Sequence, residues 1–97
     1  MHFDTASIIG NSSGIDVIVR AMWVCPSEIN IQLWSCRAMS RLSVDMNNSV
    51  LFVSVGGSSA IVNTMQTFTE DATIQTECCD IYFYQRLAWL MIKLKFN

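Results

Sequence analysis

The sequence predicts an all-α fold made of two successive units of about three helices each. Three observations carry that expectation. When the chain is displaced by 43 residues, Gly14, Ile18, Val19, Met22, Ile31, Gln32 and Cys36 fall on Gly57, Ile61, Val62, Met65, Ile74, Gln75 and Cys79. These are seven identities in the 26 positions from Gly14 to Met39, where ordinary residue frequencies give about two. A period of 43 lies in the ~40–47 range of helical repeats, whose single units cannot bury their own apolar faces and must stack. The second observation is the spacing of Ile15, Ile18, Val19 and Met22, which sets apolar side chains on one face of a helix. The third is the single proline, Pro26, which ends one helix and suits the start of the next.

Taken in order, Asp4 to Ser13 and Asn47 to Gly56 stand one period apart. Each holds a small apolar cluster (Ile8 and Ile9; Val50, Leu51, Phe52 and Val53) and runs into a glycine. Each reads as a short helix stopped by Gly14 or Gly57, because glycine takes the left-handed cap conformation at no steric cost. Ile15 to Val24 follows as a second helix, its stripe widened by Val17 and Val24. Ser27 is the expected cap of a third helix, about Glu28 to Ser43. That helix sets Ile31, Ser35, Cys36, Met39 and Leu42 on one face with Trp34 beside them, and Arg37 and Arg41 one turn apart on another.

Asp45 to Asn48 is the polar break between units, with no long linker. The second unit repeats the plan as Asn47 to Val55, Ser58 to Phe68, and a third helix from about Ala72. Its entry, Thr69-Glu70-Asp71, puts acid at the positive end of the helix. Beyond Cys79 the match fades into "DIYFYQRLAWLMIKLKFN", aromatic, apolar, and basic at its end. Either the third helix lengthens there and closes the stack, or the tail is foreign to the repeat. The expected organisation is one domain over 1–97, with repeat one at about 4–45, repeat two at about 47–90 and a divergent tail at 81–97.

Ninety-seven residues form one small domain. Hydrophobic residues make up 52% and charged residues 14%, against ~25% charged in ordinary soluble domains. Some apolar surface therefore stays open or is covered by a neighbour, either further repeats or a second subunit meeting the exposed repeat ends. A net charge of −2 with six Lys plus Arg supplies no basic field to neutralise phosphates, which argues against nucleic acid as a partner. The N-terminal segment is not a secretory signal, having Asp4 and no Lys or Arg. No stretch reaches the ~18 uncharged apolar residues that span a bilayer. The expected location is intracellular, in the cytoplasm or the nucleus.

Enzymatic chemistry finds no support in the residues. The only histidine is His2, at the terminus, so a Ser-His or Cys-His catalytic pair is not expected. Cys25, Cys36, Cys78 and Cys79 read as small apolar packing residues rather than disulfides or metal ligands. Cys36 and Cys79 occupy the same repeat position, for which burial is expected in both. Cys78-Cys79 lacks the two-residue gap of zinc or redox motifs, and helix neighbours point about 100° apart. "VGGSSAIV" at Val55 to Val62 lacks the Gly-Lys-Ser/Thr element of a phosphate loop, and reads as glycines separating helices. Asn11-Ser12-Ser13 and Asn47-Asn48-Ser49 match the glycosylation pattern but fall at helix boundaries, where Asn and Ser are expected in any case. No cofactor and no metal is expected.

With these residues laid out, the chain resembles armadillo-type repeats. The clearest piece is "IQLWSCRAMSRLS", similar to the family's third-helix pattern of Val or Ile, Gln, two variable positions, Ala-Cys-Gly-Ala-Leu, a variable position and Asn-Leu-Ala. Onto that pattern fall Ile31, Gln32, Ser35, Cys36, Ala38, Met39, Leu42 and Ser43. "GIDVIVRAM" followed by Pro26 resembles the family's second helix. The likeness covers about Asp4 to Tyr82. It implies a right-handed α-solenoid of about two three-helix repeats, with third helices lining a concave groove that grips a partner protein or an extended peptide.

In the nuclear-import members, a Trp and an Asn one turn apart on the third helix hold a basic peptide. Arg37 and Arg41 take those places here, and Asp80 and Tyr84 take them in the second unit. Paired arginines suit a carboxylate or acidic segment, since guanidinium forks bind such groups bidentately. Trp34, at helical spacing from Arg37, adds an aromatic contact.

The expected function is thus a non-enzymatic scaffold or adaptor whose binding residues are Arg37, Arg41, Trp34, Asp80 and Tyr84. Two rivals stand beside it. One is a fragment or degenerate copy of a longer solenoid with no activity of its own. The other, ranked last, is attachment to a membrane surface through Ile81 to Phe96, where Tyr82, Tyr84 and Trp89 precede two lysines.

Overall fold

A computed structural model describes residues 12–95. They form five α-helices and no strand: α1 (Ser12–Val24), α2 (Ile29–Leu42), α3 (Met46–Ser54), α4 (Gly57–Thr67) and α5 (Ala72–Lys95). The short helix expected in the first unit falls on residues 4–11, outside the described residues. Gly14 does not stop a helix; it lies inside the first turn of α1. In the second unit the left-handed residue is Gly56, at φ 87°, while Gly57 begins α4.

α1 ends where Pro26 removes a backbone donor. In a continuing helix the carbonyl of Met22 would accept from residue 26, which has no N–H. Gln32 replaces it: its Nε2 donates to Met22 O at 3.0 Å and to Cys25 O at 2.8 Å. One period later Gln75 Nε2 donates to Met65 O at 3.0 Å and Phe68 O at 2.9 Å. The turn backbones match as well, with Glu28 N bonded to Cys25 O at 3.2 Å and Asp71 N to Phe68 O at 3.2 Å. The pairs α1–α2 and α4–α5 are therefore held by the same amide clamp at the same 43-residue offset.

Their helix entries differ. Asp71 Oδ1 accepts from Ile74 N at 2.9 Å and caps α5. Ser27 does not cap α2; Glu28 holds the cap position and its side chain makes no capping bond. α3 links the two pairs by a polar turn, in which Asp45 Oδ1 accepts from Asn47 N at 2.8 Å and Asn48 N at 3.4 Å. Asn48 Nδ2 and Ser49 Oγ in turn donate to Leu42 O and Ser43 O, satisfying carbonyls at the C-terminal end of α2.

One period beyond Asp45, Asn48 and Ser49 stand Ala88, Met91 and Ile92. The cap and both donors are gone, and a run of good helix formers replaces them. α5 accordingly runs straight to Lys95, so the third helix of the second unit lengthens.

The core is continuous across the two pairs. Ile15, Val19, Met22, Cys36 and Met39 pack in one buried cluster with Phe52, Ala60, Ile61, Ile74, Cys78 and Ile81. Cys36 Sγ meets Cys78 Sγ at 3.4 Å, and Thr64 Oγ1 donates to Gln32 Oε1 at 2.6 Å. Cys79, for which burial is expected, is exposed, and all four cysteines are free thiols. The physical reason is direct: Cys36 is covered by the pair that follows it, whereas Cys79 faces the side where no further pair stands. The molecule measures 41 × 37 × 18 Å, a slab about two helix layers thick given the usual 8–10 Å between packed axes.

Candidate functional site

α2 and α5 lie side by side, joined at their contact by the Cys36–Cys78 pair and by Ser40 Oγ donating to Glu77 Oε2. The residues expected to bind a partner lie on these same two helices. Trp34 is 63% exposed, Arg37 is half-buried and Arg41 exposed, all on α2. Neither guanidinium pairs with a carboxylate among the described residues. The ion pair recorded there is elsewhere, between Arg20 and Asp16 at 2.8 Å.

On α5, Asp80 is exposed and Tyr84 half-buried, the Tyr84 ring meeting Phe83 edge-on at 5.5 Å between centroids. The fold thus places Trp34, Arg37 and Arg41 on one helix and Asp80 and Tyr84 on its neighbour. No hydrogen bond links the two sets among the described residues. Their charged and polar ends are available to a ligand.

The hydrogen bond between the two thiols at the seam acts on them in opposite directions. It pulls the Cys36 thiol below its ordinary range against the effect of burial, while the same bond, then burial and the nearby Cys36 and Glu77, push the Cys78 thiol well above it. The thiolate needed for nucleophilic or metal chemistry is correspondingly disfavoured at Cys78. Among the described residues no three His, Cys, Asp or Glu side chains stand close enough to hold a metal ion.

No protein-family model matches this chain, and comparison with curated proteins and with solved structures finds no match. What the surface does must be read from its own residues.

Two apolar grooves lie outside the expected set. One, between α4 and α5, is lined by Ile61, Val62, Met65, Cys78, Cys79 and Tyr82, with a volume of about 270 Å³. The other, between α3 and the far end of α5, is lined among others by Val50, Val53, Ala88, Trp89 and Ile92, about 190 Å³ in volume. The first was detectable as the identities at Val62, Met65 and Cys79. Of these positions, Cys79 alone carries an expectation of burial from the repeat. The second rests on the straight course of α5, for which the sequence left two alternatives. Along that course Trp89 lies under Lys93 Nζ, 4.8 Å from the ring centroid. No helix among the described residues is long and apolar enough to cross a membrane.

Proposed function

We propose that this chain is a non-enzymatic protein-interaction module whose binding face is the surface shared by α2 and α5. The observation that supports this reading is the repeated amide clamp of Gln32 and Gln75, which fixes two like helix pairs and aligns their second helices. On such a frame Arg37 and Arg41, which have no carboxylate partner among the described residues, offer two forks to an acidic segment. Trp34 supplies an exposed aromatic surface next to them. On this reading the chain is an armadillo-like solenoid of about two units whose paired second helices form the groove.

The test uses a library of acidic peptides read by fluorescence anisotropy, with circular dichroism as the control for folding. Arg37→Glu together with Arg41→Glu is expected to weaken capture at least about tenfold, the scale of one lost charge-assisted contact, with helicity unchanged. Peptide binding that survives the double substitution removes the two arginines from the site.

A further inference from the structure

The groove between α4 and α5 has a counterpart inside the same molecule. One period before its lining residues Val62, Met65, Cys79 and Tyr82 stand Val19, Met22, Cys36 and Met39. In the first pair these four are fully or almost fully buried, because the second pair covers them. In the second pair Val62 is 47% and Tyr82 55% exposed. The cover is therefore known by example. It includes Ile61, Ile74, Glu77, Cys78 and Ile81, whose places one period earlier are Ile18, Ile31, Trp34, Ser35 and Ala38, together with Phe52, whose counterpart Ile9 lies outside the described residues. Apart from Ser35, the described members of that earlier set are half-buried or exposed.

We propose that a second copy of this chain seats its α1–α2 face on the α4–α5 groove, repeating the internal junction between molecules. The residues at the seam fit this occupant. Inside the chain Ser40 meets Glu77. One period on from Ser40 is Phe83, 58% exposed, and one period back from Glu77 is Trp34, 63% exposed. The junction between copies thus replaces a hydroxyl–carboxylate bond by two aromatic rings, each now spending most of its surface in water. Such a pair adds stabilisation beyond its buried area.

The internal Thr64–Gln32 bond has no equivalent, because Ala21 stands one period before Thr64. The junction between copies is accordingly weaker than the one within them. The contact joins two different faces, so it does not close at two copies, and further copies add in the same way.

The experiment measures the mass of the full chain by analytical ultracentrifugation across a wide dilution series. The expected result is a mass that climbs with concentration past the dimer. Trp34→Glu spoils one face and Phe83→Glu the other, so each variant alone stays monomeric. An equimolar mixture still has one good face of each kind and forms a dimer that grows no further. Circular dichroism checks that both variants fold, and Trp34→Ser with Phe83→Ser repeats the mixing if either does not.

A native chain that stays monomeric overturns the proposal, as does a native dimer that never exceeds two copies. A mixture of folded variants that stays monomeric overturns it equally. Trp34 is common to both faces, whereas Arg37 and Arg41 are not needed for this contact, so their double substitution leaves assembly unchanged and tests the peptide-binding reading on its own.

Discussion

Gln32 is the side chain on which most of the fold's polar accounting converges. Its amide satisfies two carbonyls at the end of α1 and accepts from Thr64 in the next pair, all with the residue 1% exposed. Gln32→Ala leaves these groups unpaired in a dry site and is expected to cost about 2–3 kcal/mol. Gln75→Ala removes only the two carbonyl bonds at a half-buried position where water replaces them, and is expected to cost about 1 kcal/mol. Urea denaturation of both variants tests the difference, and equal losses would contradict it. The thiols provide a second test at this scale. Cys79 is exposed and Cys25 half-buried, so both should react with an alkylating reagent on the folded protein, Cys79 first. Cys36 and Cys78, buried and mutually bonded, should react only once the chain unfolds, which mass spectrometry of modified peptides reads directly.

At the scale of helices, the two adjacent glycines show why a sequence repeat predicts element positions better than element ends. A Cβ on Gly57 would sit 2.5 Å from the ring of Phe52, which is fully buried and has nowhere to move. Gly57→Ala is therefore expected to destabilise by about 1–3 kcal/mol through overpacking. Gly56 has open space around it but a φ of 87°, so Gly56→Ala carries backbone strain alone, about 1–2 kcal/mol. Thermal denaturation separates the two, because adding a second substitution, Phe52→Leu, should recover part of the Gly57 loss and none of the Gly56 loss.

The helical stretches were legible from apolar spacing and from Pro26, and α2, α4 and α5 begin within a residue of their expected starts. The stop at Gly14 was misread because glycine signals both a cap and a close approach, and the sequence does not say which. Likewise, nothing local marks Ser27 as the wrong cap; the entry to α2 is fixed instead by the backbone bond from Gln32 N to Glu28 O at 3.0 Å.

Across the whole molecule, the period of 43 residues has to be read together with position along the stack. Identical residues share a place in their own pair but not a neighbour: Cys36 and Val19 have a second pair over them, whereas Cys79 and Val62 do not. Burial is a property of the assembly and cannot be copied from one repeat to the next, which is why the identities at Val62, Met65 and Cys79 mark the residues of the groove between α4 and α5 but not that it stands open. The expected binding residues were easier to place, because helical spacing alone puts Arg37 and Arg41 one turn apart.

The straight course of α5 carries one more consequence, for local opening. Its first half sets Ile74, Cys78 and Ile81 in the core, while beyond Ala88 the side chains of Trp89, Leu90, Met91 and Leu94 are largely in solvent. A single unbroken helix thus spans two stability regimes. Amide hydrogen exchange should register them as a gradient along one element, with slow exchange limited by global unfolding from Gln75 to Tyr82 and rapid exchange through fraying from Met91 onward.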